Sequence, residues 1–310
     1  MRPAHTYSIV AYDSSARQWG VAVQTHWFGV GTGSVWAEGG VGVVATQSLT
    51  DPAYGPLGLQ LMRGGKNAAE ALRALLAADA RSEVRQVAMI DGEGGLAVHT
   101  GEKCIGQAGH RLGPGYSVQA NTMLRSTVWD AMAEAFERNA GDLAERMLQA
   151  LEAAEAEGGD IRGRQSAALV VVGAEPRDRP WASRLVDVRV DDHPQPLPEL
   201  RRLTAVSRLY HDLDQATDAL DARPLTDDGL AAARGAFERV RVGLASIPGN
   251  VEPIVWYAVA LVNAGRVEES LPLFAEVYRV QPVWKDVMGR LAASGLLKVE
   301  PEALGRIAEA

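Results

Sequence analysis

Short stretches in which apolar and polar residues alternate open the chain. Thr6 to Tyr12 alternates about Ile9 and Val10. Trp19 to Thr25 (WGVAVQT) follows a turn at Asp13–Ser15, and Val41 to Gln47 (VGVVATQ) is entered through Gly39-Gly40. A period of two between turn residues predicts hairpin-linked antiparallel strands. The period then changes. Pro56–Arg63 and Ala68–Ala78 carry Leu59, Leu61, Met62, Ala71, Leu72 and Leu75 at helical spacing, with a break at Gly64-Gly65 and Asn67 as a cap. Strands are predicted again at Arg85–Ile90, Leu96–His99 and Tyr116–Asn121, then helices at Ser126–Asn139 and Asp142–Glu157. Ser166–Val172 is almost wholly apolar, as a strand buried on both faces would be, and Leu185–Val190 is the last strand. Strands and helix pairs in separate runs predict an α+β fold with helices laid on sheets.

The grammar changes near residue 198. Helical patterns run at about 199–221, 226–246, 252–264, 267–280, 283–294 and 301–309. Two domains are predicted, 1–198 and 199–310, joined by a short stiff link at Pro194, Pro196 and Pro198. Within the second, Ile254, Tyr257, Ala258, Leu261, Gly265, Ser270, Phe274 and Pro282 fall where a tetratricopeptide-type helix pair places its apolar, small and breaking residues. A small helical bundle without repeat identity fits the same pattern.

Composition narrows the function classes. The 310 residues are 47% hydrophobic and 23% charged, ordinary for a globular chain. A single cysteine, Cys104, excludes an intrachain disulfide and a thiolate zinc cluster. A net charge of −8 without a basic run argues against nucleic acid as a partner. The first thirteen residues do not read as a secretory signal, and no run reaches the ~18 apolar residues of a spanning helix, so no membrane partner and a cytoplasmic location are expected.

Standard catalytic signatures are missing. The six histidines are scattered, and neither a metal site nor a cofactor is expected. Gly29 to Ser34 is glycine-rich but leads toward a strand, so it reads as a tight loop and not as a phosphate cradle. The polar residues at strand ends carry more. Thr46 and Gln47 leave one strand, Gln119 and Asn121 share a face of another, and Arg164 and Gln165 enter a third. Such groups can line a pocket and donate to an anionic or carbonyl oxygen, or they can satisfy backbone groups at loop ends.

Several segments together resemble a known family. They are Thr6-Tyr7-Ser8-Ile9-Val10-Ala11, Val43 to Ser48 with Gly55-Pro56-Leu57-Gly58-Leu59, Gly115 to Asn121, Gly158 to Leu169, and Leu185 to Pro194. Over about residues 5–200 the chain resembles the bacterial family called domain of unknown function 1028. That resemblance implies the four-layer αββα sandwich of the N-terminal nucleophile (Ntn) hydrolases. It places Thr6 as the nucleophile, whose own α-amine is the general base, and an amide as substrate. Asn121 and Gln119 are then candidates for holding the oxyanion. Thr46, Gln47, Arg164 and Gln165 are candidates for binding substrate, Arg164 by pairing with a carboxylate. Thr6 follows a leader, Met1 to His5, so the mechanism requires cleavage of the His5–Thr6 bond. The expectation is an amidohydrolase acting on a small amide, peptide or amino-acid derivative. Alternatives are a silent sandwich that binds a small ligand, and an adaptor that binds a protein partner through residues 199–310. Apolar residues such as Leu261, Phe274 and Val280 lead to an expected homo-oligomer.

Overall fold

The structure, a computed structural model, describes residues 2–4, 6–174 and 183–310, the first three as backbone only. Met1 and His5 of the predicted leader lie outside the described residues. The chain divides into two compact units, Met1–Thr204 and Ala205–Ala310.

The first unit is built on two antiparallel sheets. One holds β1 (Arg2–Ala4), β4 (Val35–Glu38), β5 (Gly42–Thr50), β6 (Arg85–Asp91) and β7 (Leu96–Thr100). The other has the order β11-β10-β3-β2-β9-β8, from β2 (Thr6–Asp13), β3 (Gln18–Thr25), β8 (Gly109–Gly113), β9 (Tyr116–Ala120), β10 (Ser166–Val172) and β11 (Arg184–Val190). The eight strands read from the sequence and the four helices between them fall within a few residues of where the periodicity puts them. Strands β1, β4 and β8 have no counterpart in that reading. β8 begins and ends on glycine, and a side chain at Gly109 would lie 2.7 Å from the Trp129 ring, so no apolar alternation advertises it.

The central strands β2, β3, β5, β6, β9 and β10 are buried on both faces. On one, Val10, Val21, Val23, Ala168 and Val170 of the second sheet meet Val43, Ala45, Ala88 and Ile90 of the first in one apolar cluster. On its other face, the first sheet carries α1 (Tyr54–Arg63) and α2 (Ala68–Ala78), through Val44, Val87 and Met89 against Leu59, Met62 and Leu72. The second carries α3 (Val128–Arg138) and α4 (Leu143–Ala156), through Ile9, Val118 and Leu169 against Met132, Phe136, Met147 and Leu151. The capping box at Asn67 is present, with Glu70 reciprocating.

The glycine-rich stretch forms a short 3-10 turn, Val30–Thr32, whose first N–H donates to Ser166 Oγ at 3.1 Å. Gly55, in the first turn of α1, is a point of close approach. A Cβ there would sit 2.1 Å from Trp36 Cδ1. Gly55→Ala is expected to destabilise the first unit by about 1–3 kcal/mol through overpacking, seen as a lower urea midpoint. An unchanged midpoint would mean that the Trp36 ring swings away freely.

Helix α5 (Pro196–Asp221) runs across the boundary between the units. The predicted stiff link is therefore partly helix: Pro196 and Pro198 lie in its first turn, where the N–H that proline lacks has no intrahelical acceptor. Arg201 forks between Glu145 (2.9 Å) and Glu152 (2.7 Å) of α4 and fastens this end of α5 to the first unit.

The second unit continues with α6 (Asp227–Gly243), α7 (Glu252–Asn263), α8 (Val267–Val280), α9 (Trp284–Ala293) and α10 (Pro301–Glu309). These make ten α-helices in all among the described residues. Its core gathers Leu213, Phe237, Val240, Ile254, Tyr257, Leu261, Phe274 and Val277, with Phe237 stacked on Tyr257 at 3.8 Å between centroids.

Candidate functional site

The inter-sheet layer is apolar over part of its extent and polar over the rest. Ser8 on β2, Gln47 on β5, Gln86 on β6, and Ser117 and Gln119 on β9 project into it, with Thr6 and Asn121 at the edge. All seven are at most 1% exposed. Buried amides must find partners, and these find one another. Ser8 Oγ donates to Gln47 Oε1 at 2.6 Å, and Gln119 Nε2 donates to Ser8 Oγ at 2.6 Å. Gln47 Nε2 donates to Gln86 Oε1 at 2.7 Å and to the Thr6 carbonyl at 3.1 Å. Asn121 Nδ2 donates to Gln86 Oε1 at 2.9 Å and to the Thr6 carbonyl at 3.3 Å. The Asn121 backbone N–H reaches that carbonyl too, at 3.0 Å. Gln86 Nε2 closes the network on Thr100 Oγ1 and the Ala120 carbonyl, both at 2.9 Å.

Three donors thus fix the backbone of Thr6, while its side chain stands apart. Thr6 Oγ1 is buried and has no hydrogen-bond partner. A buried hydroxyl without a partner is uncommon and costs on the order of 1–3 kcal/mol. Strain gathers at the same place. Ser48 follows Gln47 at φ 71°, and Thr122 follows Asn121 at φ 60°, a left-handed conformation that non-glycine residues rarely adopt. The rim is apolar: the Thr122 N–H donates to the carbonyl of Ile105, the Thr122 carbonyl accepts from Ile161, and both isoleucines are about half exposed.

The structure brings Thr6, Gln47, Gln119 and Asn121 into one network. It does not bring in the other residues singled out from the sequence. Thr46 points to the opposite face of β5 and donates to the Asp51 carbonyl at 3.2 Å. Gln165 donates to Asp192 at 3.1 Å. Arg164 pairs with Glu155 at 2.9 Å, and the same carboxylate accepts from Tyr7, which faces the helices rather than the other sheet. Burial first, then the Glu155 charge, pushes the Tyr7 phenol well above its ordinary value, so it remains a proton donor at any ordinary pH. Ser8, Gln86, Ser117 and Thr100 escaped the sequence reading. The signal was there: a polar residue stands at an inward position on each of several strands.

A second polar cluster lies beyond the end of β5. Arg85, 6% exposed, donates to Asp79 at 2.7 Å and to the Leu49 carbonyl, and Tyr54 donates to Asp79 at 3.1 Å. Beside it is an open concavity of about 560 Å³, lined by Trp36, Thr50, Asp51 and Arg85 among others. The hydrogen bond from Arg85 holds the Asp79 carboxyl below its usual range. Its contribution to stability is fully present above the unfolded value of ~3.9 and is lost as pH falls through the lower folded value. Asp79→Asn is therefore expected to lower stability at pH 7 and to narrow its gap to the parent protein below pH 4, measured by denaturation across pH. A gap that does not change with pH would deny the pairing.

The sequence profile of a family described as Family of unknown function (DUF1028) matches residues 6–200. The chain belongs to this family. The DUF1028 region starts at Thr6 and so contains the whole amide network. A crystal structure of a DUF1028 protein from Silicibacter pomeroyi is similar, with a TM-score of 0.57 and 28% identity over 64% of this chain and 87% of that one. No curated protein matches the sequence. Among the described residues, no helix is long and apolar enough to cross a membrane.

Proposed function

We propose that the first unit is an αββα sandwich of the Ntn-hydrolase kind and that Thr6 is its nucleophile, acting on amide bonds. The observation that carries this reading is the buried Thr6 Oγ1 without a partner, at the first residue of β2, beside a carbonyl held by three donors. A nucleophile must be kept free of competing hydrogen bonds and held in place by its backbone, and this threonine meets both conditions.

The chemistry follows from a free Thr6 amine, whose ordinary pKa near 7.7–8.0 leaves part of it neutral at pH 7. Thr6 Oγ attacks the amide carbonyl carbon as its proton passes to the α-amine. The C–N bond then breaks, and that proton leaves with the departing amine. Water hydrolyses the resulting ester, releasing the acid and restoring the hydroxyl. Asn121 and Gln47 act as positioning residues through the Thr6 carbonyl, and Gln119 braces Ser8 beneath them. Arg164 has no part here, its charge being answered by Glu155.

Strand β1 favours a second reading, a silent fold that keeps its leader, because residues 2–4 are paired into a sheet. Intact mass and amine release from a peptide amide, read on one preparation, separate the two. Hydrolysis by a chain that begins at Thr6 supports the first reading. Hydrolysis by a chain still carrying residues before Thr6 removes Thr6 from the mechanism. A chain that keeps those residues and hydrolyses nothing supports the silent fold, and a chain that begins at Thr6 and hydrolyses nothing counts against both.

For the second unit we propose an interaction module of tetratricopeptide type. Support comes from the α7–α8 pair, whose Ile254, Tyr257, Leu261 and Phe274 share one core, and from exposed Val242, Val280 and Val283, which suit contact with a second copy or another protein.

A further inference from the structure

The leader strand does something that the proposed chemistry does not require. Arg2–Ala4 runs antiparallel to the end of β5, with Arg2 opposite Thr50, Pro3 opposite Leu49 and Ala4 opposite Ser48. Ser48 is also paired with Arg85 of β6, so β1 and β6 lie on opposite edges of β5. β4 pairs with β5 only from Gly42 to Ala45, on the edge that β6 leaves open. The leader therefore fills the remainder of that edge, at Ser48–Thr50. Two residues after Ala4, Thr6 begins a strand of the other sheet, and its carbonyl is held by Gln47, the residue just before Ser48. Residues 2–4, on the acyl side of the His5–Thr6 bond, thus run along β5, and Thr6, on its amine side, begins β2.

We propose that the edge of β5 at Ser48–Thr50 is the substrate groove, that the leader is its built-in first occupant, and that the substrate class is an extended peptide cut at its carboxyl side. This rests on the Thr6 reading. A peptide that adds to a sheet edge is held by main-chain hydrogen bonds, and alternate side chains are left to find pockets. Once the leader is gone, the edge groups of β5 are unpaired, and an incoming strand of three or more residues satisfies them in the same register. Its carboxyl end then points toward Thr6, as the chain does after Ala4, and brings its carbonyl to Thr6 Oγ. The concavity lined by Trp36, Thr50, Asp51 and Arg85 adjoins this edge through Thr50, and offers room beside the residue that takes the place of Arg2. A single-residue amide reaches none of this. The cleavage is balanced as a hydrolysis: peptide amide and water give the peptide acid and the amine.

The test uses a chain in which an enteropeptidase site replaces the residues before Thr6, so that the leader is removed after folding and Thr6 is left free. Two probes are compared, acetyl-Arg-Pro-Ala-His-aminomethylcoumarin and acetyl-His-aminomethylcoumarin. A tetrapeptide with D-alanine in the third place serves as control, and hydrogen exchange at residues 48–50 is followed with each. The expected result is a kcat/KM about 10- to 100-fold higher for the tetrapeptide, lost with D-alanine, together with slowed exchange at Ser48–Thr50. Equal cleavage of both probes without slowed exchange would overturn the groove and leave the Thr6 mechanism standing. Slowed exchange by the tetrapeptide without cleavage would uphold the groove as a peptide site and overturn the mechanism. Neither cleavage nor protection would overturn both.

Discussion

Thr6→Ala is expected to leave the residues before Thr6 attached and to lower amide hydrolysis by at least ~10³-fold, with little change in stability. These outcomes come from one atom. Thr6 Oγ1 makes no hydrogen bond, so deleting it strands no partner and even relieves a buried unsatisfied group. The contacts that hold residue 6 pass through its carbonyl, which alanine keeps. Thermal unfolding should therefore stay within ~1 kcal/mol of the parent while the chemistry disappears. Thr6→Ser keeps the hydroxyl and should retain both leader removal and hydrolysis at reduced rates. Intact mass, an amine-release assay and a melting curve on the three proteins decide the matter. Loss of stability in Thr6→Ala with unchanged hydrolysis would make Thr6 a structural residue and end the mechanism. Asn121→Ala provides the contrast: it removes a donor from the Thr6 carbonyl and from Gln86, so stability and leader removal should fall together.

The alternation in the first 190 residues was enough to place most strands, because burial on at least one face imposes a period of two. It was not enough to tell which face is polar for a reason. Ser8 lies between Tyr7 and Ile9 like any outward residue, yet all three are completely buried, since that strand is covered on both sides. Gln86 was invisible for a related cause. Its role depends on Gln47 lying opposite it in the register and on Asn121 approaching from the other sheet, and local spacing carries neither fact. At Arg164 the sequence points to a guanidinium at a strand entrance that could pair with a substrate carboxylate, and the local spacing does not show that Glu155, nine residues earlier on the last turn of α4, comes back to pair with it. Helix periodicity, by contrast, placed all the helices of the second unit to within a few residues, because their contacts repeat locally.

The largest effect on stability is expected at Gln86. Gln86→Leu should lower the unfolding free energy of the first unit by about 2–4 kcal/mol. At 2–4 °C per kcal/mol for a unit of this size, the centre of that range is a drop of about 6–12 °C in Tm. Leucine comes close to glutamine in volume, so packing is roughly kept and the loss is polar. Gln86 accepts from Gln47 Nε2 at 2.7 Å and from Asn121 Nδ2 at 2.9 Å, and it donates to Thr100 Oγ1 and the Ala120 carbonyl at 2.9 Å. Gln47 and Asn121 each keep the Thr6 carbonyl as a second acceptor, which holds the cost below that of stranding every partner. The hydroxyl of Thr100 keeps His110 Nδ1 at 2.9 Å as a partner, while the carbonyl of Ala120 loses the amide donor. Gln86→Glu makes a sharper case. It keeps the acceptor but turns the donor toward three oxygens, the Gly109 carbonyl at 3.1 Å among them, into a buried carboxylate facing them, and should cost more than leucine at pH 7. Its deficit should shrink on acidification, because protonation restores a donor: the folded-state pKa of that carboxyl is raised, so the penalty is present above it and fades below it. Scanning calorimetry of the three proteins at pH 7 and pH 5 checks both orderings. A Gln86→Leu protein that melts with the parent would mean that water takes up the freed groups, and that Asn121 and Gln47 hold the Thr6 carbonyl without help from the amide beneath them.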